Sequence, residues 1–384
     1  MTNWITNINA SNAQEANDAV HLISRSLCIA AQEIGFQEIN LVGFQYTDAY
    51  PDRRQNLVHA LLDPVQPGDL VAVQFPLFTT DSFTETFFEQ LFHRQGVQKV
   101  AVIRDIPSWM NAVDSDGYDA QTDWWLALLR RFDLLIVANE QEAAQLRRDG
   151  VNVPMISLVI CDYWYQGPWR KKQFRKELYY ASGRDILGLD YHAATPLNVY
   201  SAVASDAVQA NGSTRWLGFQ PSDAILASLS GGFGIVTANN IRESHDEAFK
   251  YYTQFNDPTK LSFYWAAGLP VVTTSRTPHA QLIKDRHLGM VVDDLNDIDR
   301  LLSDMSSADY QAMVAAVAPW QRAVTTGFFI KRALMAAIQT LNLGVKQQLV
   351  KSWWGLSDNS NTKKLWNARW LALSVQRGNY FESL

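Results

Sequence analysis

Residues 70–107 read LVAVQFPLFTTDSFTETFFEQLFHRQGVQKVAVIRDIP, and this stretch decides the class of fold. Two short apolar runs, Leu70–Phe75 and residues 100–103, flank a helical pattern over 81–94, and turn-forming residues punctuate each junction. Strands of four to six apolar residues alternating with helices are the mark of parallel α/β construction. The same rhythm extends outward. Further strands are expected at 39–44, 134–138 and 156–160, and helices near 13–34, 121–131 and 140–148. Val20, Ile23, Leu27, Ala30, Ala31 and Ile34 recur at helical spacing and give one apolar face.

The rhythm breaks at residues 163–177, YWYQGPWRKKQFRKE, which are aromatic and then basic and contain Gly167–Pro168; this reads as an interdomain connector. It then restarts with expected strands at 178–181, 215–219, 234–238, 271–273 and 290–292, and a helical pattern from 308 to 343 closes the unit. The predicted organisation is therefore a first α/β domain over 1–162, the connector 163–177, a second α/β domain over 178–343, and an extension 344–384 carrying Trp353, Trp354, Trp366 and Trp370. With 384 residues the chain exceeds what one core serves, which agrees with two domains. Open parallel sheets bind ligands at the carboxyl ends of their strands, so a cleft between two such units suits a two-part substrate.

Composition narrows the function. Hydrophobic residues make up 47% and charged residues 19%, an ordinary globular balance. Lys+Arg number 33 against 39 Asp+Glu, a net charge of −6, which argues against a nucleic-acid binder. Cys28 and Cys161 cannot form a disulfide framework or a four-thiolate zinc site and read as small buried hydrophobes. No apolar run approaches the ~20 residues of a membrane span, and no targeting segment is visible, so a cytoplasmic location is expected.

Within 251–270, YYTQFNDPTKLSFYWAAGLP, Asp257 is a good N-cap, Pro258 suits the first helical position, and Gly268 followed by Pro270 ends the helix. Lys260 then falls in the first turn, where the helix dipole disfavours a cation. Either an anion binds there, held by N–H groups and the ammonium, or the lysine simply reaches into water. His279, at the start of the helix after the strand at 271–273, is a phosphate neighbour or an exposed capping residue. Ser230–Gly234, SGGFG, precedes a strand instead of following one and lacks the dinucleotide spacing. There is no phosphate-loop lysine motif and no Gly-x-Ser-x-Gly elbow. Asp114 and Asp116 resemble a metal-holding Asp-x-Asp pair, but their polar surroundings read as a solvated turn, and the seven histidines lack ligand spacing. In the first domain Phe75 and Arg104-Asp105 end strands, where α/β sites are built; Asp105 is placed either as a general base or as a turn cap.

Several of these segments together resemble a group of bacterial GT-B glycosyltransferases. VAVQFP with KVAVIRDIP, FDLLIVAN with GV and ISLVICDYW, and GFGIVTAN with YYTQFNDPTKLSFYWAAGLPVVTT are similar to that group's blocks, in order, over residues 10 to 340. The group includes the third glucosyltransferase of the serine-rich-repeat adhesin glycosylation pathway and galactofuranosyltransferase-like relatives. The resemblance implies two facing Rossmann-like domains and a UDP-sugar (UDP-glucose or UDP-GlcNAc) held mainly on the second by Tyr252, Asn256 and Lys260, with Arg184 near the diphosphate. It implies an acceptor side formed by Phe75 and Arg104, with Asp105 as the catalytic base. No cofactor and no metal are implied. The implied acceptor is a GlcNAc-modified serine-rich adhesin polypeptide, and the implied assembly a homo-oligomer, dimer or tetramer. Departures from the group's pattern are Arg104 for a His, Asp257 for a second Asn and Thr259 for a second His. Galactofuranose transfer to a glycan precursor, with the basic run 170–176 at a membrane, and a non-catalytic partner of a glycosyltransferase complex are the competing readings.

Overall fold

The computed structural model describes residues 1–10, 18–42, 49–110, 123–182, 186, 188–202, 212–242 and 251–344. Met1–Ala337 form one compact unit. Its first sheet is built from β1 (Asn3–Asn9), β2 (Phe36–Val42), β3 (Leu70–Phe75), β4 (Gln98–Ile103), β5 (Leu134–Val137) and β6 (Met155–Ser157), in the order β2-β1-β3-β4-β5-β6. Every pairing in it is parallel. The helices of this half are α1 (Ala19–Gln32), α2 (Pro51–Leu62), α3 (Asp81–His93), α4 (Pro107–Met110), α5 (Trp124–Leu129) and α6 (Glu140–Arg148).

The second sheet contains β7 (Gln173–Ala181), β9 (Leu197–Tyr200), β10 (Thr214–Trp216), β11 (Gly231–Ile235), β13 (Val271–Thr273) and β14 (Gly289–Val291), ordered β10-β9-β7-β11-β13-β14 and again parallel. Counted from its own first strand this is the 3-2-1-4-5-6 order of a Rossmann fold, with the topological switch between β7 and β11. β8 (Gly188–Leu189) and β12 (Ile241–Arg242) form a separate antiparallel pair. The helices are α7 (Ser222–Ser228), α8 (Thr259–Ala266), α9 (Ala280–Asp285), α10 (Ile298–Ser303), α11 (Ser307–Thr325) and α12 (Phe328–Leu343). Among the described residues no helix is long and apolar enough to cross a membrane.

Several expectations are corrected. β1 lies between β2 and β3, paired on both sides, yet NWITNIN carries no apolar run. Its buried Thr6 and Asn7 are tolerated because each is hydrogen-bonded: Thr6 Oγ1 accepts the Gln74 N–H at 2.8 Å, and Asn7 Nδ2 donates to Glu38 Oε1 at 3.0 Å. Residues 173–177 belong to β7 instead of the connector; their charged side chains hide the strand period, and Gln173 pairs with Gly231. The basic run 170–176 is in part structural: Arg170 Nε donates to Ala227 O (2.8 Å) and Lys172 Nζ to Leu229 O (2.6 Å), covering the carboxyl end of α7. The helical pattern 308–343 is two helices, broken at Gly327, whose φ of 67° is left-handed. The tryptophans of the extension lie outside the described residues.

α8 is fixed to the second sheet by one side chain. Tyr264 is fully buried; its hydroxyl donates to Tyr179 O at 2.8 Å and accepts from Ala181 N–H at 2.9 Å. A Cβ at Gly234 of β11 would lie 2.1 Å from the same ring, so the glycine is what lets helix and strand approach. Tyr264→Phe leaves a buried carbonyl and N–H without their partner, and is expected to cost about 1–3 kcal/mol in urea denaturation. A loss under roughly 0.5 kcal/mol would show that this bridge contributes no more than an exposed hydrogen bond.

Candidate active site at the domain boundary

The segment before α8 crosses to the other half of the molecule. Tyr252 and Phe255 are buried in the first-domain core, with the Phe255 ring centroid 5.2 Å from that of Trp109. Asn139, which caps α6, donates from Nδ2 to Phe255 O at 2.6 Å. Held this way, the chain presents Asn256, Asp257 and Thr259 to a cavity of about 90 Å³. Opposite them stand Arg104 and Asp105 after β4, Ala138 after β5, and Leu158 and Cys161 after β6. The cavity therefore sits at carboxyl strand ends, where parallel sheets build their sites.

Its polar lining is unusually underused. Asn256 Oδ1 is buried without a protein partner, and so are Nε and Nη1 of Arg104. The remaining arm of that guanidinium, Nη2, makes a long 3.4 Å bond to Ala19 O, and the Arg104 Cζ lies 5.2 Å from the Phe78 ring centroid. Burial lowers the Arg104 pKa while the Asp105 charge opposes that shift. Lys260 follows the cavity-lining Thr259, and its Nζ lies 5.0 Å from the Tyr180 ring centroid near the end of β7, at the switch point of the second sheet.

The structure thus brings together Arg104, Asp105 and Asn256 around one cavity, while Lys260 is next in sequence to its Thr259 and lies over Tyr180 of the second sheet. It does not bring in Phe75 or Tyr252. Phe75 is 0% exposed, its ring packed against Phe88, Trp125 and Phe132, so its place at a strand end puts the side chain into the core. Tyr252 likewise serves the core. Arg184, Asp114 and Asp116 lie outside the described residues. Asp257 is not the cap of α8: Pro258 holds that position, and no side chain caps the helix. Its carboxylate instead accepts the Cys161 N–H and pairs with His279. His279, in turn, is buried and makes no capping bond.

Glu142 was not evident from the sequence. It is 2% exposed, and burial pushes its carboxyl up to about 8, with the charges of Asp105 and Asp257 adding to the rise and the Ala138 N–H bond opposing it. The signal was present in Asn139-x-x-Glu142, a capping-box spacing; here Oε2 accepts from Ala138 N at 2.5 Å while Asn139 Oδ1 takes Glu142 N–H.

Solved structures share this architecture. Sucrose-phosphate synthase from Thermosynechococcus elongatus superposes with a TM-score of 0.57 at 14% identity, covering 90% of this chain and all of that one. The trehalose-6-phosphate protein of E. coli, bound with UDP-2-fluoro glucose, does so at 0.54 and 10%, covering 88% and 99%. The two parallel sheets and these likenesses define a GT-B fold. Residues 2–160 match the N-terminal domain and residues 178–337 the C-terminal domain of the Glucosyltransferase 3-like family, and the chain belongs to that family. It is 28% identical to Glucosyltransferase 3 of Streptococcus gordonii over 315 residues, 80% of this chain and 90% of that protein. To Glucosyltransferase 3 of Streptococcus parasanguinis it is 23% identical over 340 residues, 87% and 97% of the two chains.

Because the Glu142 pKa is raised in the folded state, its contribution to stability is fully present below the ordinary 4.5 and lost as pH rises through about 8. Glu142→Gln imitates the neutral form at every pH and keeps an acceptor for Ala138. The melting temperature of the variant should match wild type near pH 5 and exceed it by several degrees at pH 8.5. A difference that stays constant across this range would contradict a raised carboxyl at this position.

Proposed function

We propose that the protein transfers a hexose from a UDP-sugar, UDP-glucose or UDP-GlcNAc, to a GlcNAc-modified Ser/Thr of a serine-rich adhesin polypeptide. The observation that carries this reading is the convergence of Asp105 and Arg104 from one sheet with Asn256 and the start of α8 from the other around one cavity. The names of the two streptococcal relatives support glucosyl transfer, and a UDP-sugar lies in the E. coli protein of the same fold.

In this reading the acceptor hydroxyl oxygen forms the new bond to the anomeric carbon as the bond to the β-phosphate oxygen breaks. The hydroxyl proton passes to the Asp105 carboxylate, and the diphosphate leaves with additional negative charge. Lys260, at the switch point where sheet ligands bind, and Arg184, which follows β7 in the sequence, supply the cations that stabilise that charge. Asn256 Oδ1 accepts from a sugar hydroxyl, and the Arg104 N–H groups orient the acceptor. These cations do the work that a divalent ion does elsewhere, so transfer proceeds without metal. Action in the cytoplasm on a polypeptide, by a homo-oligomer, completes the proposal.

Two variants separate the halves of the site. Lys260→Ala should weaken UDP binding about tenfold to a hundredfold by calorimetry, the loss of one charge-assisted contact worth roughly 1.5–3 kcal/mol. Asp105→Asn should keep UDP affinity and the melting temperature yet lower kcat at least about 100-fold, the usual worth of a general base. Transfer at the wild-type rate in Asp105→Asn removes the base assignment; unchanged UDP affinity in Lys260→Ala removes the donor assignment.

Chelation gives an independent check. Transfer from UDP-glucose to a GlcNAc-bearing Ser/Thr-rich peptide should continue unchanged in EDTA. Loss of turnover in chelator, restored by manganese or magnesium, would show that the diphosphate charge is balanced by an ion instead of by Lys260 and Arg184.

A further inference from the structure

Asp257 is the point at which three separated segments meet. Its Oδ2 accepts the N–H of Cys161, in the stretch that leaves the first sheet after β6. Its Oδ1 lies 2.8 Å from Nε2 of His279 at the start of α9, and both side chains are only 5% exposed. The loop that delivers His279 is itself fixed by hydroxyl contacts, Thr273 Oγ1 to Thr277 Oγ1 at 3.2 Å and Thr277 Oγ1 donating to Thr274 O at 3.2 Å. His279 occupies the N-cap position of α9 without capping it, and its Nε2 faces the Asp257 carboxylate at ion-pair distance, neither atom having another partner.

The two residues flanking Asp257 and Pro258 face the cavity together with Asp257. Asn256 immediately precedes the carboxylate and presents an unpartnered Oδ1; Thr259 opens α8, and Lys260 follows it. A shift of Asp257 therefore moves Asn256 and the first turn of α8 together. A buried carboxylate is costly unless it is paired or hydrogen-bonded, so removal of the group facing Oδ1 favours a different position for Asp257.

We propose that His279 is a positioning residue of the donor site: by holding Asp257 against Cys161 it sets Asn256 and Lys260 at the distance from Asp105 that transfer requires. This rests on the donor-site reading given above. The residue touches no substrate in this account; it acts through Asp257.

The test compares His279→Ala, His279→Asn and His279→Gln with Lys260→Ala, reading UDP affinity by calorimetry and transfer kinetics at a temperature well below the lowest melting point. A glutamine places its Nε2 where the histidine Nε2 stood, whereas asparagine stops short of Asp257. The Ala and Asn variants are expected to raise the UDP Kd and the donor KM about tenfold, since displacements near 1 Å at such sites cost up to about 100-fold, and Gln should restore both to within about threefold. If His279→Ala does not fold, His279→Asn, which keeps a polar side chain at the helix start, reads the same loss. UDP affinity within twofold of wild type in the Ala and Asn variants, with Lys260→Ala weakened, reduces His279 to packing and overturns the proposal. So does a loss that Gln fails to restore. Unchanged affinity in Lys260→Ala as well removes the donor-site reading and this inference with it.

Discussion

The insertion of Tyr252 and Phe255 into the first-domain core is the constraint on which the site depends. Large aromatic rings are expensive to leave in water, and the slot beside Trp109 takes them. Once they are seated, Asn256 and Asp257 have no freedom to lie anywhere but at the boundary. The chain then enters α8, whose Tyr264 is anchored in the second sheet. A few residues thus pass from one core to the other, and the polar groups between the two anchors line the cavity.

The boundary is also held at the other end of α11. Asp162 is fully buried and accepts the N–H groups of Phe329 (3.2 Å) and Ile330 (2.7 Å), the first turn of α12. Burial pushes this carboxyl up to about 8, as it does Glu142. Two carboxyls whose ordinary pKa values are near 4 are therefore shifted toward neutrality beside a third, Asp257, held by histidine and an amide. A boundary crowded with acids stays closed because burial suppresses part of their charge and backbone N–H groups satisfy the rest.

Much of the sheet architecture was legible in the sequence because its strands are buried on both faces and so read as apolar runs; Leu70–Phe75 and Val271–Thr273 are read to the residue. β1 was illegible for the opposite reason: its polar side chains are satisfied by partners 31 to 68 residues away, information that no local period carries. The site divides in the same way. Arg104 and Asp105 announce themselves by position at a strand end, whereas Asn256 is indicated only by the family resemblance. Phe75 shares such a position, but successive strand side chains point to opposite faces, and position alone does not say which. The roles of Asp257 and His279 are set by contacts between distant segments, and a local cap explains each of them equally well until those contacts are seen.

The crossing of Phe255 has a consequence for how the chain is made. The first sheet is complete by residue 157, yet its hydrophobic core lacks two rings that belong to residues 252 and 255. At roughly 5–20 residues per second, a ribosome takes several seconds to synthesise the intervening stretch. Until then no ring is available to fill the slot beside Trp109. The two halves therefore share a core. The later half supplies the plug for the earlier one, and closing that slot also forms the cavity at the boundary.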